Sequence, residues 1–326
     1  MAHEADPSKP VAAELRAPGA DPLRTTRSAG STGPTDKGTL ALVGPGRAGT
    51  TIALALCAQG FRAVSVAGRA VDAASTLAAA ACLDAEPRFV AQASAGATLV
   101  VIATPDAAIE SVATALAPSL EPDSLVVHLA GSRGTDVFAD LRRRRPDVRV
   151  GALHPLQSMP STSASLDRLP GSWAAIAGDD AVIDLAQRLE LRPFRVADAD
   201  RERYHAAAVV ASNHLVALLG QVERLAADAS VPFDAFAPLV DASVANAFEL
   251  GPRAALTGPV ARGDLATVER HLASMDPGER DAYRALAREA ARLAECRDAA
   301  LQRLLDDLRS LDPETGPDPG SGHAAG

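Results

Sequence analysis

The sequence predicts an α/β fold, a doubly wound and mostly parallel sheet followed by an all-helical second domain. Two observations predict it. From Leu40 to about Val196, short β-branched runs alternate with helical stretches, which is the pattern of βαβ units. After Asp198 the strand signal stops, and the longer runs that follow read as helices. At 326 residues, with 47% apolar and 22% charged, the chain is long enough for two domains of ordinary size.

The strand candidates are TLALVG at 39–44, AVSVAG at 63–68, TLVVIAT at 98–104, SLVVHLAG at 124–131, VRVGALH at 148–154, WAAIAG at 173–178 and PFRVAD at 193–198. The helical candidates that follow span 200–230, 233–250, 264–272 and 278–311. The first of these is apolar nearly all round, so it is expected to be buried. Residues 1–37 are rich in Pro, Gly, Ser, Thr and Ala without periodicity and read as a disordered arm; 312–326 read as a similar tail. The expected division is therefore a sheet domain over 38–198 and a helical substrate or dimerisation domain over 199–311.

Composition narrows the function classes. The formal net charge is -9, and the one basic cluster, Arg142–Arg145, reads as a solvated helix end before a strand, so a nucleic-acid partner is not expected. Cys57, Cys82 and Cys296 lie far apart, with no C-x-x-C pair, which points to neither a disulfide framework nor a metal site. The N-terminus has no apolar core of a leader, and the longest apolar run, Ala206–Leu219, is interrupted by Ser212, Asn213 and His214. A cytoplasmic protein with no membrane partner is the expectation.

Gly44, Gly46 and Gly49 fit G-x-G-x-x-G directly after the first strand and at the start of a helix. The first glycine permits the tight turn, the second lets backbone approach a pyrophosphate, and the third lets helix pack on strand. Free backbone N–H groups at the positive end of the helix dipole then face the phosphates, which makes Gly44, Pro45, Gly46, Arg47, Ala48 and Gly49 the cofactor turn of a Rossmann-type dinucleotide site. A carboxylate at the end of the second strand usually serves NAD by accepting from the ribose hydroxyls. Here Ala67 and Gly68 stand there and Arg69 follows, an arrangement that favours the extra phosphate of NADP(H). Arg47 is a second candidate phosphate contact.

Ligands of an open parallel sheet lie outside the carboxyl ends of its strands. Thr104-Pro105-Asp106, His128 to Ser132, and His154-Pro155 fall at such ends, with Thr104 and Pro105 expected beside the cofactor. His154 and His128 are the acid/base candidates, because a histidine can pass a proton while hydride moves. Lysine-based proton transfer is excluded unless the arm reaches the site, since the only lysines are Lys9 and Lys37. In the helical region His205 and Ser212 share a face, Asn213 sits beside Ser212, and Asp264 is the expected cap near Arg262, a candidate for a substrate carboxylate.

The segments VGPGRAG, IATPD, HLAGSRG, GALHPLQSM, YHAAAVVASNH and LTGPVARGD, in that order, resemble the 6-phosphogluconate-dehydrogenase-like reductases, and within them the Rossmann-like proteins carrying domain of unknown function 2520. The resemblance spans roughly Leu40 to Leu311. GALHPLQSM is similar to the Gly-x-His-Pro segment of prephenate dehydrogenases, which implies contact of His154 with the reacting hydroxyl and places Ser132 as their active-site serine. Where those enzymes have Ser-His, this chain has Ser212-Asn213. The helical segments are similar to those of pyrroline-carboxylate reductases.

The resulting expectation is an NADP-dependent oxidoreductase acting on a small oxo or hydroxy acid or a cyclic imine. His154 exchanges the proton, Ser132 and Asn213 orient the reacting group, Ser212 and Arg262 bind substrate, and a homodimer completes the helical domain. Two rivals stand beside it: a non-catalytic NADP(H) sensor, and a hydrolase using Ser132 on the A-x-S-x-G turn.

Overall fold

The computed structural model describes residues 37–306; the expected arm before Lys37, with Lys9, and the expected tail lie outside the described residues. The sheet has eight strands: β1 Thr39–Val43, β2 Arg62–Ala67, β3 Glu86–Pro87, β4 Leu99–Ile102, β5 Leu125–His128, β6 Arg149–Pro155, β7 Trp173–Gly178 and β8 Arg192–Arg195. Their order is β3-β2-β1-β4-β5-β6-β7-β8. All neighbours are parallel except β6 and β7, which pair antiparallel with His154 opposite Ala175. The seven expected strands are all present. The eighth, β3, is two residues long and offers no periodicity to read.

Alternate residues of the central strands face opposite layers, which is why they read as unbroken apolar runs. Leu40, Leu42, Leu99 and Val101 join helices α1 (Arg47–Ala58), α2 (Ala74–Leu83) and α6 (Ala181–Arg188) in one core; α3 (Ile109–Leu116), α4 (Ala139–Arg144) and α5 (Thr162–Arg168) complete the sheet region. Ala41, Val43, Val100 and Ile102 meet α3 and α4 on the other face. Strand order reverses between β1 and β4, so a ligand crevice opens at their carboxyl ends.

Beyond the sheet come α7 (Arg201–Val209), a π-helical turn (Val210–His214), α8 (Leu215–Asp228), α9 (Ala237–Leu250), α10 (Pro252–Ala255), α11 (Leu265–Ser274), α12 (Pro277–Leu293) and α13 (Ala299–Asp306). Asp264 caps α11 as expected, accepting from Thr267 N at 3.1 Å. The stretch expected as one helix from 278 breaks after Leu293. Glu295 takes a φ of 54°, and the Asp298 carboxylate restarts the chain by accepting from the amides of Ala300 and Leu301.

The expectation that the apolar helix 200–230 is buried is not met. Only Arg201, Gln221 and Ala226 are buried along it, and α9 has no buried residue. Val216 is 68% and Phe248 90% exposed. The core of the helical region lies instead among α11, α12 and α13, through Val268, Leu272, Ala291 and Leu301. The helix Asp198–Asp228, 31 residues, is long and apolar enough to cross a membrane by composition. Its first turns carry charged residues and hold Arg201 buried within the protein, as described below.

Candidate active site

The glycine turn fits a dinucleotide for three separate steric reasons. Gly44 has a φ of +97°, its N–H donates to Ala67 O at 2.8 Å, and a Cβ there would fall 2.5 Å from the Ala103 carbonyl. A Cβ on Gly49 would fall 2.4 Å from Gly44 O. At Gly46 the situation is reversed: a Cβ would meet nothing within 4 Å, so the space above the turn is open. Gly46 is the N-cap of α1 and supplies no side-chain acceptor, and the first intrahelical amide is Thr50 N, bonded to Gly46 O at 2.9 Å. The N–H groups of Arg47, Ala48 and Gly49 therefore remain for a ligand. Pro45 packs beside Gly68, and the buried Thr104 hydroxyl, just before Pro105, has no hydrogen-bond partner. Arg47 itself turns away, donating through Nη1 to Pro160 O at 3.0 Å.

Beside this turn is a cavity of about 680 Å³ lined by Gly68, Arg69, Ala70, Val71, Asp72, Phe89 and Val90. Arg69 is exposed and makes no hydrogen bond or ion pair among the described residues, so its fork is free for a phosphate. Phe89 is 67% exposed and offers a flat apolar surface. Asp72 lines the same cavity, an acid four residues past Gly68, at the end of the strand where a ribose-binding carboxylate stands in NAD sites.

Along the same edge, the ends of β4, β5 and β6 bring together Asp106, Ser132 and His154, and α7 closes over them. Arg201, Tyr204 and His205 project from one face of α7 because they are spaced i, i+3, i+4. His154 Nδ1 lies 2.8 Å from Tyr204 Oη, and the His154 and His205 rings meet edge to face at 5.8 Å. Gly131 sits against both: a Cβ there would fall 2.9 Å from His154 Nε2 and 2.6 Å from His205 Cδ2. Ser132 donates to the Asp106 carboxylate. Asp198, at the foot of α7, accepts from Thr135 N at 3.0 Å and Thr135 Oγ1 at 3.1 Å, which ties the loop after β5 to the helix.

Burial, reinforced by His205 and Arg201, brings the His154 pKa down to about 4, with Asp106 pulling the other way. Burial also pushes Tyr204 up to about 12. His128 is likewise lowered to about 4, by burial first. Its two nitrogens are both engaged: Nε2 donates to Gly134 O at 2.9 Å and Nδ1 accepts from Ala130 N at 3.2 Å. His128 therefore holds the loop in place, and its ring has no edge left for a substrate. His154 Nε2 has no hydrogen-bond partner among the described residues.

Other sequence candidates stand apart. Ser212, in the π turn, donates to Ala208 O of α7 at 2.7 Å and reaches Asn213 Oδ1 at 2.9 Å. Arg262 is exposed ahead of the α11 cap, and no hydrogen bond or ion pair joins it, Ser212 or Asn213 to the His154 cluster. Lys37 lies against Gly60, at the amino ends of the strands. The serine of the A-x-S-x-G turn gives its proton to a carboxylate, whereas nucleophilic serine chemistry needs a base such as histidine at that position. Sequence reasoning missed Tyr204 and Arg201; their spacing to His205 was the available signal.

Residues 31–155 match the model of Rossmann-like domains, and residues 174–290 match the domain of unknown function DUF2520. The chain thus carries a Rossmann-like domain followed by a DUF2520 domain. The DUF2520 match takes in β7 and β8 as well as the helices. Among solved structures, this chain is similar to a proposed NADP oxidoreductase from Bacteroides fragilis, with 26% identity, a TM-score of 0.69, and 79% of this chain and 99% of the other covered. A protein from Thermotoga maritima matches at 21% identity and TM-score 0.55, over 82% of this chain and 98% of the other. The pyrroline carboxylate reductase of Plasmodium falciparum, with NADP bound, shares the fold at 10% identity and TM-score 0.52, over 79% and 99%. None of the curated proteins matches the sequence.

Proposed function

We propose that this protein is an NADP(H)-dependent oxidoreductase that moves hydride between the nicotinamide and a small oxo or hydroxy acid, or a related cyclic imine. One observation carries the reading: a histidine with a free Nε2 stands on the same strand-end edge as an open, uncapped glycine turn. The bound dinucleotide supplies or takes the hydride. His154 Nε2 exchanges the proton with the reacting oxygen or nitrogen. Asp106 fixes the Ser132 hydroxyl beside it, and that serine orients the reacting group. The phosphate preference rests on the free Arg69 at the cavity by Gly68, and the similarity to the proposed NADP oxidoreductase of Bacteroides fragilis supports it.

Calorimetry with NADPH and NADH, followed by an NADPH-oxidation screen over keto acids and cyclic imines, tests this directly. Tight NADPH binding and at least one turned-over substrate are expected, with His154→Ala lowering kcat about 100-fold or more. No heat with either dinucleotide, in folded protein, would remove the reading.

The helical domain is proposed to pair with a second copy. A helix of 14 residues is marginal alone, and α9 leaves Leu239 64% and Phe248 90% exposed. The helix from α7 to α8 presents Val210 and Val216 in the same way.

A further inference from the structure

We propose that Tyr204 is the proton source of the site and His154 its relay, with the buried Arg201 guanidinium as the counter-charge that receives the phenolate. This rests on the oxidoreductase reading above and adds to it two residues from α7.

His154 alone is a poor acid here. A histidine brought down to about 4 is protonated in only about one molecule per thousand at pH 7. The groups acting on it agree: burial, His205 and Arg201 oppose its charge, His128 adds to that opposition, and only Asp106 favours it. The neighbouring phenol keeps its proton, since burial holds Tyr204 near 12. In the 2.8 Å contact the phenol O–H therefore donates and Nδ1 accepts. That fixes the ring as the Nε2–H tautomer, with its proton on the free edge beside Gly131.

The relay then balances. As hydride adds to the substrate carbon, the electron pair of its double bond takes the Nε2 proton, forming a new O–H or N–H bond. Nδ1 accepts the phenol proton at the same time, so the ring stays neutral and Tyr204 becomes a phenolate. On product release a solvent proton enters at Nε2, and Nδ1 returns its proton to Tyr204. Each turnover consumes one hydride and one solvent proton.

Arg201 gives this step its electrostatic support. It is fully buried, and Nε, Nη1 and Nη2 have no hydrogen-bond partner. The acid that acts on it, Asp198, spends its Oδ2 on Thr135. Leaving charged donors unmade in the interior is costly, so their retention calls for a function. Arg201 lies one helical turn before Tyr204, and its charge favours the phenolate. Donors fixed where charge develops stabilise the transition state without reorganisation.

The test has two arms. In ¹⁵N-histidine NMR, with His154 assigned by His154→Gln, the wild type should show an unprotonated, hydrogen-bonded Nδ1 and a protonated Nε2 at pH 7. Tyr204→Phe should shift the Nδ1 resonance and relax the tautomer preference. A protonated Nδ1 in the wild type would overturn the proposal, and this arm needs no substrate. With a keto acid or cyclic imine that the wild type reduces, Tyr204→Phe should lower kcat about 100-fold with KM within threefold, and a bowed proton inventory should become linear. Arg201→Met should lower kcat in the same way while the protein melts no earlier, and Arg201→Lys should restore part of the rate. A Tyr204→Phe enzyme within threefold of wild-type kcat, with the inventory still bowed, would end the relay. If the wild type reduces nothing, the functional reading fails, and the NMR arm alone decides how the Tyr204–His154 proton is held.

Discussion

Substituting Gly46 by alanine separates folding from cofactor binding in a way that the other two glycines of the turn do not permit. Gly46 has φ -82° and ψ 178°, a conformation open to any L-residue, and an added Cβ meets no atom within 4 Å. Alanine there should stabilise the protein by about 0.4–1 kcal/mol, by restricting the unfolded chain. For a protein of this size that is a rise in Tm of roughly 1–3 °C. The same methyl would occupy the space a pyrophosphate needs to reach the amides of Arg47, Ala48 and Gly49. Losing one charge-assisted contact of about 1.5–3 kcal/mol weakens binding roughly 10- to 100-fold. Gly44→Ala should behave oppositely, because a φ of +97° and a Cβ 2.5 Å from Ala103 backbone together cost about 2 kcal/mol or more of fold stability. The assay is thermal melting paired with calorimetric titration of NADPH. If Gly46→Ala melts normally and binds NADPH as tightly as wild type, the dinucleotide does not cross this turn and the reasoning is refuted.

Arg69→Glu should weaken NADPH at least tenfold and leave NADH within threefold; equal losses for both dinucleotides would assign Arg69 no contact with the extra phosphate. Phe248→Glu should turn a dimer into a monomer in sedimentation velocity; a monomeric wild type would remove the pairing of helical domains. Acid stability should be governed by two histidines. His128 and His154 are held near 4 when folded against about 6.5 unfolded, so between those values the unfolded chain binds more protons. Stability is then full above pH 6.5 and falls as pH drops towards 4, by up to about 1.4 kcal/mol per pH unit for each. Urea midpoints between pH 7.5 and 5 should show this slope, and His128→Asn should remove about half of it; an unchanged slope in that variant would contradict the burial argument.

Some of this was legible in the chain because it depends on local sterics. Gly44 and Gly49 announce a turn that no side chain can enter, and LALV or LVVI announces a strand covered on both faces, whatever lies elsewhere. The division into a sheet followed by helices came from the same local periods. His154 was legible by position, at the end of a strand run, but its partner was not. Helical spacing puts Arg201, Tyr204 and His205 on one face, yet nothing in that spacing says that the face docks on the end of β6. Of the three, only His205 stood out in the sequence, since a buried arginine with no partner violates the ordinary expectation for charge.

The misplaced burial of α7 and α8 has a related cause. An apolar helix must be covered by something, and that inference from hydropathy is sound. What it cannot specify is whether the cover belongs to the same chain. Here the chain spends Val268, Leu272, Ala291 and Leu301 on a separate small core and leaves Phe248 and Val216 outside. The π turn at Val210–His214 lies between the buried Arg201 and this open face, so the helix that closes over His154 is the same one that awaits a cover. If a second copy supplies it, pairing stiffens the helix carrying Tyr204, and Phe248→Glu should reduce kcat as well as dimerisation although Phe248 makes no hydrogen bond or ion pair with the His154 cluster.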